Sequence, residues 1–558
     1  MKSNLLAFLL VWAVFAQLPA QDISALGKQK PVDFSGSLQA GVSFYNARGV
    51  DNRRSPFIWT LSGSPVLSLY GFQLPFTVML SDRQLDYNTP VFRRIGVSPY
   101  WKWIKLHGGY RNMQFSPYSL NGLTFLGGGI ELTPGKLRFA AMYGKMEPLP
   151  VTPTLELTGY QQPIDMYRRR GMGLKLGVGT ASNFFDLIFF KAKDDGLTGS
   201  RDSLLRLGIT PAENLVVGTS FKLTFFRKLS FAVNAAASGI TKDQNAPPAD
   251  LTDDFARKQK FIKINQSSYY YFAGDAQIGL RFRHFNIGGS YQRIDPGYTS
   301  FGVYFINQDV ENLTGNFGLN LLQGKLSFNA RYGKQRNNLY KRSEYTSLRD
   351  IMSGDFSLTA SKKFSVSGGY SNFSLQQQAG LIQINDTFRL ASVNANAYLS
   401  PQLTFVRKTI THTVSLNISY DQYRDQNPFS NAFTDTEAQN ASANYRIRWK
   451  PSGLMLSAGL FASRFHYPNR EVERIGLSTG AGKELLAKKL NLRWTGNSSL
   501  NRTDGKSDGF LLSNSISLNY KVTRKMSLGF GLSYLNRRTK IQQPFNELRS
   551  NLNYSLRF

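Results

Sequence analysis

From Asp33 to Phe558, apolar and polar residues alternate with a period of two, and no other property of the sequence limits the fold so strongly. In the last segment Leu552, Tyr554, Leu556 and Phe558 fall on one face, with Asn551, Asn553, Ser555 and Arg557 on the other. The same rule sets Ile516, Leu518, Tyr520 and Val522 against Ser515, Ser517, Asn519 and Lys521, and Val414, Leu416, Ile418 and Tyr420 against Ser415, Asn417, Ser419 and Asp421. Successive side chains of a strand point to opposite faces, so this pattern predicts strands with one apolar and one polar face. Helical periodicity is scarce, and Asp250 to Lys260 is at most a short loop helix. The chain is therefore expected to be all-β.

Strand length separates a soluble sandwich from a barrel turned inside out. The alternating runs reach about 12 to 16 residues, beyond the five or six common in globular sheets, and suit a tilted membrane-crossing strand of about 9 to 11 residues with an extension. Tyr554, Phe558, Trp449 and Tyr467 stand at strand ends, where interfacial aromatic girdles lie. Tight turns are expected at Thr133-Pro134-Gly135, Arg227-Lys228, Arg283-His284, Gln323-Gly324, Ser361-Lys362-Lys363, Pro451-Ser452-Gly453 and Lys488-Lys489. Longer polar links fall at 148–165, 195–213 and 244–266. Counting hairpins predicts about 26 strands, within about four, and an even number if both ends of the sheet lie on one side. A hairpin repeat of roughly 40 residues resembles propeller spacing, but a blade packs four short strands where two long ones are read here.

The N-terminus supplies a basic start at Met1-Lys2, an apolar run from Leu5 to Phe15 and a small residue at Ala20, the layout of an export signal cleaved after Ala20. No cysteine follows the cleavage point, which excludes the lipoprotein version. The expected organisation is a signal peptide over 1–20, a short periplasmic segment over 21–32 and one barrel domain over 33–558. No later stretch is long and apolar enough for a transmembrane helix. With 67 Lys and Arg against 36 Asp and Glu the net charge is +31. Export and the dispersal of the basic residues argue against nucleic acid as the partner.

The export signal, the alternating strands and the terminal run Asn551 to Phe558 together resemble outer-membrane β-barrel proteins of Gram-negative bacteria. Tyr554, Leu556 and Phe558 are similar to the C-terminal signal by which that class is delivered to the barrel-assembly machinery. The resemblance covers the whole mature chain and implies localisation in the cell outer membrane. It implies a large antiparallel transmembrane barrel with short periplasmic turns, longer extracellular loops and no N-terminal plug domain. Outer-membrane lipid and lipopolysaccharide are the implied surroundings.

A search for catalytic chemistry returns little. His107, His284, His412 and His466 are far apart and show no metal-ligand spacing, and the absence of cysteine removes thiolate chemistry. Ser463 and His466, the nearest local pair for a lipase-like barrel, differ by an odd number of residues and point to opposite faces. Gly476 to Lys483 imitates a phosphate loop, but Leu477 and Glu484 occupy the positions where that motif needs Gly and Ser or Thr. Neither an enzyme nor a cofactor is expected.

The basic residues sort into three groups. Arg281, Arg283, Arg331, Arg446, Arg448 and Lys450 alternate with apolar residues and are expected to line the lumen, since a charge facing lipid at mid-bilayer costs about 2 to 4 kcal/mol. A second group, with Arg168, Arg169 and Arg170, sits at the loop ends, and a third lies at the tight turns. The favoured expectation is a porin-like passage with a basic, anion-attracting lumen. Its competitor is a scaffold whose lumen or rim holds a protein partner in secretion or envelope assembly. Some 26 strands would enclose a circle roughly 50 Å across, so an inward loop, a flattened outline or a partner is expected to narrow it.

Overall fold

A computed structural model describes residues 31–70, 72–81, 94–146, 167–197, 209–249, 261–381, 389–540 and 543–558. The export signal, the link 148–165 and the stretch Asp250 to Lys260 lie outside the described residues.

The wall is a closed antiparallel barrel of 26 strands, running from Ser37–Arg48 to Phe545–Arg557. Each wall strand pairs with its neighbours in sequence, and the ring closes where Ser37–Arg48 meets Phe545–Arg557, in register from Ser37↔Arg557 to Arg48↔Asn546. Closure satisfies every edge, which an open sheet in lipid could not do. The strands are uneven in length. Arg94–Val97 has 4 residues and touches Ile104–Gln114 only through Gly96 and Val97, whereas Ala391–Arg407 has 17. Val32–Ser35 pairs with Val66–Leu69 and prolongs the first hairpin beyond the wall.

All seven expected tight turns connect wall strands at one rim. The seam ends there too: the Gly36 and Phe558 backbones exchange hydrogen bonds of 3.1 and 3.2 Å, and the Phe558 ring stacks on Phe34 at 4.4 Å. The turn after Glu213–Phe225 places Phe226 and Arg227 at φ of 50° and 56°, the left-handed pair that matches strand twist in a tight hairpin. The opposite rim carries the longer connections, among them 295–309 and 426–435, but it also has two-residue hairpins at Pro468-Asn469 and Asp504-Gly505.

Candidate functional site

Two of the connections at the long-loop rim fold into the barrel. The first is the turn 115–119, between Ile104–Gln114 and Leu120–Leu132. Its Phe115 ring lies over Gly173, where a Cβ would stand 2.6 Å from the ring, so only glycine admits this approach. Its Tyr118 hydroxyl reaches the strand Ser268–Arg281 and donates to Asp275 Oδ1 at 2.9 Å. The second is the connection 295–309, after Phe285–Ile294. Within it Gly302–Val303 lies parallel to the start of Leu120–Leu132. The Tyr298 hydroxyl donates to the Tyr118 carbonyl at 2.7 Å, and Ser300 donates to the Ser119 carbonyl.

These segments are anchored to the wall by polar and apolar contacts. Asn214, fully buried, directs its amide nitrogen at Ser238 Oγ (2.8 Å) and at the Gly239 and Thr299 carbonyls, while its oxygen accepts the Phe301 N–H at 3.1 Å. The Arg169 guanidinium forks onto Asp194 at 2.7 and 3.1 Å and stacks 3.5 Å from the Phe301 ring. Phe125, Phe190, Leu120, Val216 and Tyr298 are completely buried in one cluster beneath the two segments. Burial pushes the phenols of Tyr118 and Tyr298 up, so both remain protonated donors.

The side of the wall that these segments cover is the inner one, and register carries it around the ring, because cross-strand partners share a face. Gln292, which donates to the Tyr118 hydroxyl at 3.0 Å, shares its face with Gly288. Gly288 pairs with Asn316, Asn316 with Arg331, Arg331 with Ser353, and the path continues through Ser371, Asn396 and Asp421. The opposite face is apolar and exposed around the ring: Leu176, Leu187, Ile278, Leu313, Ile418, Leu460 and Leu552 all stand on it. A closed sheet, apolar outside and polar inside, is built for lipid around it and water within. This is the architecture of a transmembrane β-barrel, consistent with the Gram-negative outer-membrane class.

Neither a family model nor a curated protein matches the chain. Solved structures similar to it include OccAB4 of Acinetobacter baumannii, at 12% identity over 71% of this chain and 99% of that one, with a TM-score of 0.32. OccK9 (OpdG) of Pseudomonas aeruginosa aligns at 11% identity over 70% and 98%, with a TM-score of 0.31. OpdK of Pseudomonas aeruginosa, solved with vanillate, aligns at 10% identity over 62% and 93%, with a TM-score of 0.30. Similarity this low carries no function across, and the class rests on the barrel's own geometry.

The interior of the barrel is divided. Ten wall strands, from Ile104–Gln114 to Val310–Leu321, surround the apolar cluster and the inward segments. Twelve more, from Leu326–Arg336 to Phe545–Arg557, contribute only Ala391 and Phe545 as buried apolar side chains among the described residues. Their inner face is mainly hydroxyls, amides and charges, interrupted by Ile351, Phe373, Phe461 and Met455: Asn396 donates to Asp421, Asn440 to Ser419, and Tyr398 to Asp355.

The six basic residues expected in the lumen do not form one group. Arg331 lies mid-strand, across from Asn316 and Ser353. Arg281 ends its strand, and Arg283 lies in the turn after it. Arg446 and Arg448 share the face of Asn440 and Ser442 near the turn rim, Arg448 lies 3.4 Å from Glu484, and Lys450 sits in the turn. Sequence reasoning missed Tyr118, Asp275 and Asn214, which belong to segments and faces that only the closed ring brings together.

His107 also has partners invisible in the sequence. Its Nδ1 lies 2.9 Å from Ser98 Oγ and its Nε2 lies 2.7 Å from Glu131, which also binds Lys105 at 3.1 Å. In a serine-hydrolase triad the nucleophile meets Nε2 and the acid meets Nδ1; the connections here are exchanged. Ser98 and His107 are each only 7% exposed, a buried network that ties the turn rim together.

Proposed function

We propose that this barrel is a non-enzymatic passage for small solutes across the outer membrane, with the twelve-strand arc as its conducting side and the two inward segments as its constriction. The observation that carries the proposal is the divided interior. One arc is filled by the protein's own chain, and the other keeps a mainly polar inner face that holds no buried apolar cluster among the described residues. A ring of 26 strands left empty would be a hole roughly 50 Å across, and inward segments of the same chain narrow it without a second protein.

On this reading Arg331, Arg446 and Arg448 bias the path toward anions, as basic residues along pores do. Reconstitution in planar bilayers tests the passage, and replacing all three with Gln is expected to move the reversal potential in a salt gradient toward less anion preference. An unchanged potential removes these residues from the path. Absence of conductance, together with a protein that co-purifies in fixed ratio from native membranes, overturns the passage in favour of a scaffold. Tyr554 and Leu556 stand on the outer face beside the seam that Phe558 completes, and we further propose them as the recognition face for the assembly machinery.

A further inference from the structure

Where the turn 115–119 meets the inner wall, a cleft of about 440 Å³ remains, within the size range of small-molecule sites. It lies at mid-depth on the strands from Leu229–Thr241 to Tyr345–Leu358, with Pro117 and Tyr118 on its inward side. We propose that this cleft is a binding subsite for a neutral polyhydroxylated solute, a sugar or sugar-like polyol, and that it sets selectivity at the constriction. The proposal deepens the passage reading and rests on it for its transport role, though the site itself does not require transport.

Its polar wall is made of amides and hydroxyls. Asn312 donates to Gln292 at 2.7 Å, Gln292 donates to Tyr118, and Ser290 meets Thr314 at 2.5 Å. Each amide offers both donor and acceptor, the combination that a solute hydroxyl also presents. Gln277 borders the cleft, and among the described residues its side chain makes one hydrogen bond, from its nitrogen to Asp275 at 3.2 Å, which leaves its amide oxygen without a donor.

The apolar counterpart is small and suits the C–H face of a sugar ring. Ile351 stands on the inner face, 40% exposed, beside Gly333. A Cβ on Gly333 would come within 3.0 Å of the Thr314 methyl, so glycine keeps the floor between them open.

Charge argues against the alternatives. The one carboxylate in the cleft, Asp275, accepts from Tyr118, Asn234 and Gln277, and it repels an incoming anion. Lys334 also borders the cleft, but it pairs across the sheet with Leu313, which stands on the exposed outer face. Pleat alternation therefore turns its ammonium away. A simple cation would need more than one carboxylate, and a neutral ligand needs none.

The full chain, purified in mild detergent and titrated with maltose by calorimetry, tests this. The expected result is saturable binding in the millimolar range or tighter. The double variant Gln277→Ala, Asn312→Ala should weaken it about tenfold while keeping heat-modifiable migration on gels, the sign of an intact barrel. Succinate is expected to give no saturable heat and no competition. Undetectable maltose binding, binding unchanged in the double variant, or displacement by succinate each overturns the site. Conductance without sugar binding removes the site and leaves the passage standing, whereas sugar binding without conductance does the reverse.

Discussion

The arc from Ile104 to Leu321 and the arc from Leu326 to Arg557 are parts of one continuous sheet, yet they solve opposite problems. The first has its inner face covered by its own connections and buries a cluster that includes Phe125, Phe190 and Tyr298. The second carries no such cover among the described residues, and its inner side chains bind one another. The difference lies in what the inward positions carry. In Phe184–Leu197 they are Asp186, Ile188, Phe190, Ala192 and Asp194, apolar at the centre, with an arginine-paired aspartate at each end. In Thr436–Trp449 they include Asn440, Ser442, Asn444, Arg446 and Arg448. The lumen side is water, so only there does burying apolar area drive folding; on the lipid side it gains little.

That contrast can be broken most severely by removing the cover. Replacing 295–309 with a two-residue hairpin, copied from Asp504-Gly505, is expected to raise single-channel conductance several-fold in planar bilayers; conductance equal to the parent would mean that the segment does not narrow the path. Next in size, Phe125→Ala should lower stability by about 3–5 kcal/mol in urea unfolding monitored by gel mobility. A matched truncation in the other arc, Ile351→Ala, removes a side chain already 40% exposed and should cost much less. Equal costs would dissolve the distinction between filled and open arcs. Asn214→Ala leaves the Phe301 N–H without its partner and takes from the Thr299 carbonyl one of its two donors, Ser238 remaining, and should cost about 1–3 kcal/mol, with noisier open-channel current as the segment loosens. The smallest effect belongs to Arg448→Gln. Its contact with Glu484 is exposed, so stability should change by less than about 1 kcal/mol while ion preference still moves.

The sequence made the wall legible and the lumen illegible, and both for physical reasons. Alternation is a local property, so Ile418 or Leu552 can be assigned to a face from its neighbours alone. The tight turns are equally local, because Pro451-Ser452-Gly453 or Thr133-Pro134-Gly135 bends the chain wherever it occurs. The strand number followed from counting these signals. By contrast, the meeting of Tyr118 with Asp275 spans 157 residues and depends on the curvature of a closed ring. Nor does length mark the segment that enters, because 115–119 is short. One available signal was the run Phe115 to Leu123, where Phe115 and Tyr118 in a connection that water should bathe, and Leu120 and Leu123 at the start of the next strand, break the period-two pattern. Apolar residues in a turn at the loop rim are worth reading as an anchor.

The seam between Ser37–Arg48 and Phe545–Arg557 fixes the timetable of assembly. Its partners lie about as far apart along the chain as any two wall strands can, so the contact that completes the ring forms only after the last strand exists. Until then both bordering strands present unpaired backbone groups, each costing several kcal/mol in hydrocarbon. Entry into the bilayer and closing of the ring are therefore one coupled event, and a chain halted short of its final strand would be left as a half-built sheet, soluble in neither phase and prone to pair with another copy of itself.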